Sequence, residues 1–173
     1  MKPPSGKGRE IECPDFFGQV KQYPADSVRF RPAGYGILQH QGRILLSRSR
    51  FTGLWDFPGG GVEPFERMDE GMAREFREET GLAIVTQELI HVAEGYIAMF
   101  GHPFHSLRFY YRCRLKAVNA VNAVNAGDPG QLAPDLGELA ELKWWVPSEV
   151  PRPSMHDSDR EALDRFLQRP RPQ

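Results

Sequence analysis

Residues 60–82 read GGVEPFERMDEGMAREFREETGL, and the spacing of the acidic residues in this stretch governs how the rest of the chain is read. The pattern predicts a helix from about Met68 to Thr80, stopped by Gly81. At about 100° per residue, Glu75, Glu78 and Glu79 share one narrow sector of that helix. Met72, Phe76 and Thr80 fall on an adjacent sector, and Glu70 and Arg77 on the far side. Neighbouring carboxylates repel one another unless positive charge sits among them. Ligands that are all oxygen favour Mg2+ or Mn2+ over zinc, and Mg2+ commonly completes its shell with waters and phosphate oxygens. A phosphate-bearing substrate is therefore expected.

The flanking residues extend this reading. Pro58-Gly59-Gly60-Gly61 is a loop able to turn backbone groups toward a phosphate or a cation. Arg74 stands four residues before Glu78 and is placed to hold it. Gly71, near the acidic face, would let a metal-bound ligand approach the helix. A solvated acidic helix is the ordinary explanation for Glu-rich sequence. Here seven fixed residues and two apolar positions at set spacing would arise by chance on the order of once in ten million. The segment Gly60 to Leu82, with Trp55, Phe57 and Pro58 just upstream, resembles the signature box of the Nudix hydrolases.

That resemblance implies an α/β fold, a Nudix-type α/β/α sandwich with a mixed β-sheet over residues 28–168. It implies a Mg2+-dependent (or Mn2+-dependent) hydrolase cleaving a phosphoanhydride bond in a nucleoside diphosphate-linked substrate. By position, Glu75, Glu78 and Glu79 become the metal-binding carboxylates, one or more of them also a base toward water. Arg74 becomes the residue that orients one of them, and the Gly59 or Gly60 carbonyl a further metal ligand. A fourth carboxylate would come from Glu138, Glu141 or Asp135, each of which is otherwise a surface charge. Three residues depart from the usual box: Phe65, Arg67 where a Ser or Thr cap is common, and the bulky Phe76. None of them is a metal ligand.

Arg48 and Arg50, at the end of a strand leading toward the site, and Tyr96 are candidates for holding substrate; solvated surface arginines are the equal alternative. The expected substrate is a nucleoside triphosphate or a small nucleotide derivative. The alternatives are ADP-ribose or nucleotide-sugar pyrophosphatase activity, RNA 5′-end pyrophosphohydrolysis using Arg108, Arg112, Arg114 and Lys116, and a non-catalytic nucleotide-sensing module. His102 and His105 form a weak zinc pattern, interrupted by Pro103.

Outside the box, β-prone stretches at Val28 to Gln39 and Arg43 to Ser47 predict a hairpin, and Ile84 to Val92, Leu107 to Lys116 and Leu142 to Val146 predict three more strands. A second helix is expected over Asp159 to Gln168, with Ser158 and Glu161 as a capping box. Residues 1–27 read as an irregular tail or wrap, 169–173 as a C-terminal tail, and 117–137, which begins with tandem Ala-Val-Asn units, as a long surface loop. The 173 residues suit one domain. With 22 Lys plus Arg against 23 Asp plus Glu, there is no bulk charge for a polyanion and no strong sign of nucleic acid binding. The longest apolar run, Tyr96 to Phe100, is far short of the ~20 residues of a membrane helix. With no secretory signal visible and Cys13 and Cys113 too few for a disulfide framework, a cytoplasmic location is expected. A homodimer is possible but not readable.

Overall fold

A computed structural model describes residues 8–116, 132, 137 and 139–169. In chain order the strands are β1 (Glu10–Pro14), β2 (Val20–Pro24), β3 (Arg29–His40), β4 (Arg43–Ser49), β5 (Trp55–Asp56) and β6 (Gly59–Gly61), followed by helix α1 (Met68–Thr80). Then come β7 (Ile84–Met99), β8 (His102–Leu115), β9 (Leu139–Trp145) and helix α2 (Asp157–Gln168). Strands β3 to β9 form one seven-stranded sheet. Its central pair, β3 and β8, is parallel and every other pair is antiparallel, so the sheet is mixed.

Adjacent residues of the central strands point to opposite faces, and this places one helix on each side. Ile37, Ile44 and Leu46 pack with Leu163 and Phe166 of α2. Leu38 and Leu45 pack with Met72 and Phe76 of α1. The α/β/α layering expected from the sequence is thus the architecture found. The bulky Phe76 fits because Gly36 faces it: a Cβ on Gly36 would lie 2.8 Å from the ring. Helix α1 begins after Arg67, and Glu70 Oε2 accepts the Arg67 backbone N–H at 3.0 Å, so half of a capping box forms without Ser or Thr at the cap. Gly81, at φ 74°, ends the helix in the left-handed conformation that favours glycine.

Several elements differ from expectation. β7 and β8 form a hairpin longer than the sequence suggested, running out to Phe100 and Gly101, both at positive φ. Its outer half exposes Val92 and Tyr96 and contains Gly95 and Pro103, so it lacks the apolar alternation that marks a half-buried strand. Residues 10–24 are not an irregular wrap. β1 and β2 pair, and Asp15 bridges Ala98 of β7. Helix α2 starts at Asp157 rather than Asp159, with His156 as its cap. Ser158 is not the cap; its hydroxyl lies 3.0 Å from Tyr110 Oη and 2.8 Å from Arg108 Nη1. Nearly all of the expected loop at 117–137, including Asp135, lies outside the described residues, as do Glu138 and residues 170–173 of the expected C-terminal tail. Among the described residues no helix is long and apolar enough to cross a membrane.

Candidate active site

The loop Gly59–Gly61 is itself a strand, β6, paired with Ala33 to Tyr35 of β3, and α1 lies against it. Gly59 adopts φ 144°, and a Cβ there would sit 2.2 Å from the Gly34 carbonyl oxygen, so only glycine fits. Gly60 faces Glu75 so closely that a Cβ would meet the carboxylate oxygen at 2.7 Å. Glu79 Oε2 accepts the Gly59 N–H at 2.9 Å. Two helix carboxylates are therefore seated directly on the glycine loop.

Arg74 organises this group. Its Nε and Nη2 donate to the two oxygens of Glu66 at 2.7 and 2.9 Å. Its Nη1 donates to Glu75 at 2.9 Å and to Glu78 at 3.2 Å, and Nη2 reaches the Gly61 carbonyl at 3.3 Å. Hydrogen bonds from Arg74 and the Glu63 backbone hold the Glu66 carboxyl down at about 2. Glu66 in turn fills the space beside Gly71, where a Cβ would meet its Oε2 at 2.7 Å. Gly71 is thus buried against Val62 and Glu66, and its smallness admits the preceding loop rather than a ligand.

Glu75, Glu79, Glu66 and Gly59–Gly61 line a cavity of about 1240 Å3. Arg29, Arg31 and Arg108 line it too, as do Tyr35, Asp56, His156 and Asp159. Arg29 and Arg31 alternate along β3, and Arg108 sits beside them on β8, paired with Ala33. Asp159 Oδ1 accepts the Phe57 N–H at 3.1 Å and Oδ2 accepts the Tyr110 hydroxyl at 3.2 Å. Burial pushes its carboxyl up against the opposing pull of Phe57, Arg108 and His156. Asp56 accepts from the Ser47 hydroxyl at 2.5 Å, and burial together with the charge of Asp159 pushes it up to about 8.

Glu78 is half exposed and does not line the cavity, but Arg74 ties it to Glu75. Among the described residues no three His, Cys, Asp or Glu side chains stand together as ligands of one ion. The three carboxylates share a helix side without converging, because Arg74 draws Glu75 and Glu78 while the Gly59 N–H holds Glu79. The donor set nonetheless fits a hard divalent cation: carboxylate oxygens packed against a side-chain-free loop, with cationic charge from Arg74 alongside.

The candidate substrate residues fall elsewhere. Arg48 pairs with Glu141 at 3.3 Å across β4 and β9, which also takes Glu141 away from the cavity lining. Arg50 lies in the turn after β4, outside the lining. Tyr96 stacks on His105 at 4.8 Å, and His105 bonds Glu94 at 2.7 Å, leaving no zinc pair with His102. The basic run on β8 does not form one groove: Arg112 is buried, paired with Glu88 and set over the Phe166 ring, whereas Arg108 faces the cavity. The residues missed in the sequence are Arg29, Arg31, Asp56 and Asp159. Their signals were the alternating arginines ahead of the box, the acid between Trp55 and Phe57, and an Asp taken for ordinary helix-start chemistry.

A mixed sheet between two helices, with an acidic helix seated on a glycine loop, is the arrangement that the resemblance of residues 60–82 implies. The NUDIX domain family model matches residues 29–166, and the chain belongs to that family. It is 42% identical over 62 residues to a nucleoside triphosphatase NudI of Klebsiella pneumoniae, covering 33% of this chain and 42% of the relative. The match to an Escherichia coli NudI is 41% over 58 residues, covering 31% and 41%. The chain thus spans about two fifths of the length of these curated relatives. A NUDIX hydrolase from Nitrosomonas europaea superposes with TM-score 0.62 at 18% identity, over 97% of this chain and 91% of that one. A MutT NUDIX hydrolase from Burkholderia pseudomallei superposes with TM-score 0.60 at 22% identity, over 79% and 98%. These structures establish the fold. Family membership agrees with the Nudix resemblance read in the sequence.

Proposed function

We propose that this protein is a divalent-metal-dependent pyrophosphohydrolase acting on a nucleoside triphosphate or a small nucleotide derivative. The observation that carries this reading is the pairing, in one cavity, of the Glu75 and Glu79 carboxylates on the glycine loop with Arg29, Arg31 and Arg108. The nucleoside triphosphatase relatives support the choice of substrate.

Glu75, Glu78 and Glu79, with a carbonyl of Gly59 or Gly60, would hold Mg2+ or Mn2+. A bound ion of this kind supplies charge neutralisation at the phosphates and a more acidic water. Arg74 orients Glu75 and Glu78 through its Nη1, and Glu66 fixes Arg74. Arg29, Arg31 and Arg108 take the phosphate oxygens not engaged at the carboxylate wall, a role suited to the forked guanidinium. Asp56 and Asp159 line the same cavity, each held by hydrogen bonds within the protein. The buried free thiols of Cys13 and Cys113 accord with a cytoplasmic location.

The test is phosphate and pyrophosphate release from nucleoside triphosphates, ADP-ribose, nucleotide sugars and dinucleoside polyphosphates, each with Mg2+, with Mn2+ and with chelator. Metal-dependent turnover favouring triphosphates is expected. Preference for ADP-ribose or a nucleotide sugar would replace the substrate assignment, and turnover in chelator would overturn the mechanism.

A further inference from the structure

One end of the same cavity is aromatic rather than charged. Phe16, Phe51 and Phe100 come from three distant segments: the turn between β1 and β2, the loop after β4, and the turn between β7 and β8. Their rings meet. Phe16 stacks on Phe51 with centroids 6.1 Å apart and planes 15° apart, and Phe100 meets both edge-on at 6.0 Å. All three line the cavity, together with Ile97 and Met99. The cluster is not core, since Phe100 is 73% exposed and Phe51 42%. Phe100 also sits at φ 51°, a left-handed conformation unusual for a bulky side chain.

Phe16 is held in place with some care. The Asp15 carboxylate accepts the N–H groups of Phe17 and Gln19 at 2.9 and 3.0 Å, and the Asp15 N–H donates to the Gln19 carbonyl. Asp15 also bridges Ala98, close to Phe100 in sequence, so the β1–β2 turn is fastened to the strand that carries the third ring. An exposed aromatic cluster continuous with a charged cavity suits a ligand that has a flat ring at one end and phosphates at the other.

On the nucleotide reading above, we infer that Phe16, Phe51 and Phe100 form a stacking clamp for the substrate's nucleobase, with the β1–β2 hairpin as the cover that supplies Phe16. Stacking tolerates any base, because every base has a π face. Discrimination between bases is left to the polar groups nearby.

The test uses etheno-ATP, whose fluorescence reports stacking, read by stopped flow before turnover, alongside competition by inorganic tripolyphosphate, which has no base. F100A alters an exposed ring and F16A a half-buried one, with thermal melting to show that both fold; F16Y keeps a stacking surface. F16A and F100A are expected to weaken etheno-ATP binding by about five- to a hundredfold. Tripolyphosphate affinity should be unchanged in both, and F16Y should bind like the wild type. Unchanged etheno-ATP binding, or an equal loss for both ligands, would overturn the clamp. Wild-type protein that binds tripolyphosphate but not etheno-ATP would refute the clamp and leave the phosphate site standing; binding of neither would refute both.

Discussion

Arg74 grips Glu66 with two parallel hydrogen bonds, Nε to Oε1 at 2.7 Å and Nη2 to Oε2 at 2.9 Å, while its remaining nitrogen is shared by Glu75 and Glu78. The pair joins the loop before α1 to the acidic side of the helix. A lysine retains the charge but offers a point donor in place of the fork. R74K is therefore expected to lose about 10- to 100-fold in turnover, the usual cost of disturbing a group that orients ligands. E66Q should lose activity in the same direction. Steady-state hydrolysis, with thermal melting to show that the fold survives, checks both.

Asp56 gives a pH dependence of stability. Folded, it keeps its proton to about pH 8; unfolded, it releases it near 3.8. Folding therefore takes up a proton between these values, and this contribution to stability falls as pH rises through the window. D56N, which cannot ionise, should flatten the decline. Melting temperatures of wild type and D56N should diverge as pH rises from about 5 to about 8 and run parallel beyond it.

Two neighbouring glycines should fail in different ways. G59A forces a Cβ onto the Gly34 carbonyl oxygen from a positive φ, a backbone clash that cannot relax cheaply. A cost of about 3 kcal/mol, roughly 6 to 12 °C in melting temperature, is expected. G60A meets only the end of the Glu75 side chain, which can move. It should melt close to wild type and lose most of its turnover, so melting and kinetics together separate the two.

The Gly36–Phe76 contact predicts a rescue. G36A places a methyl 2.8 Å from the Phe76 ring and should cost about 1 to 3 kcal/mol through overpacking. The double variant G36A/F76L should recover part of that loss. A cycle of denaturation free energies tests this, with additive effects as the contrary result.

The sequence disclosed most where geometry is local. Helix α1 was legible from about Met68 to the Gly81 stop, because helical periodicity and a glycine stop are properties of neighbours in the chain. The strands at Arg29–His40 and Arg43–Ser49 were legible as β-prone stretches on either side of the short turn at Gln41 and Gly42. The outer hairpin of β7 and β8 was not, since exposed Val92, Tyr96 and Phe100, with Gly95 and Pro103, break the apolar alternation there. Arg29, Arg31 and Arg108 were missed as a group because only the parallel pairing of β3 with β8 brings them together. Arg48 looked promising by position along its strand, but its partner Glu141 lies across the sheet. Ser158 suited a cap by pattern, and tertiary contact with Tyr110 and Arg108 claimed it instead.

The most direct measurement compares Mg2+-dependent hydrolysis of nucleoside triphosphates by wild type and by E78Q, with circular dichroism to establish that both are folded. Glu78 is half exposed and tied only to Arg74 among the hydrogen bonds described here, so the substitution should spare the fold. Turnover is expected to fall by roughly 10² to 10⁴-fold in E78Q. Folded E78Q with wild-type turnover, or wild-type turnover indifferent to Mg2+ and Mn2+, would contradict it.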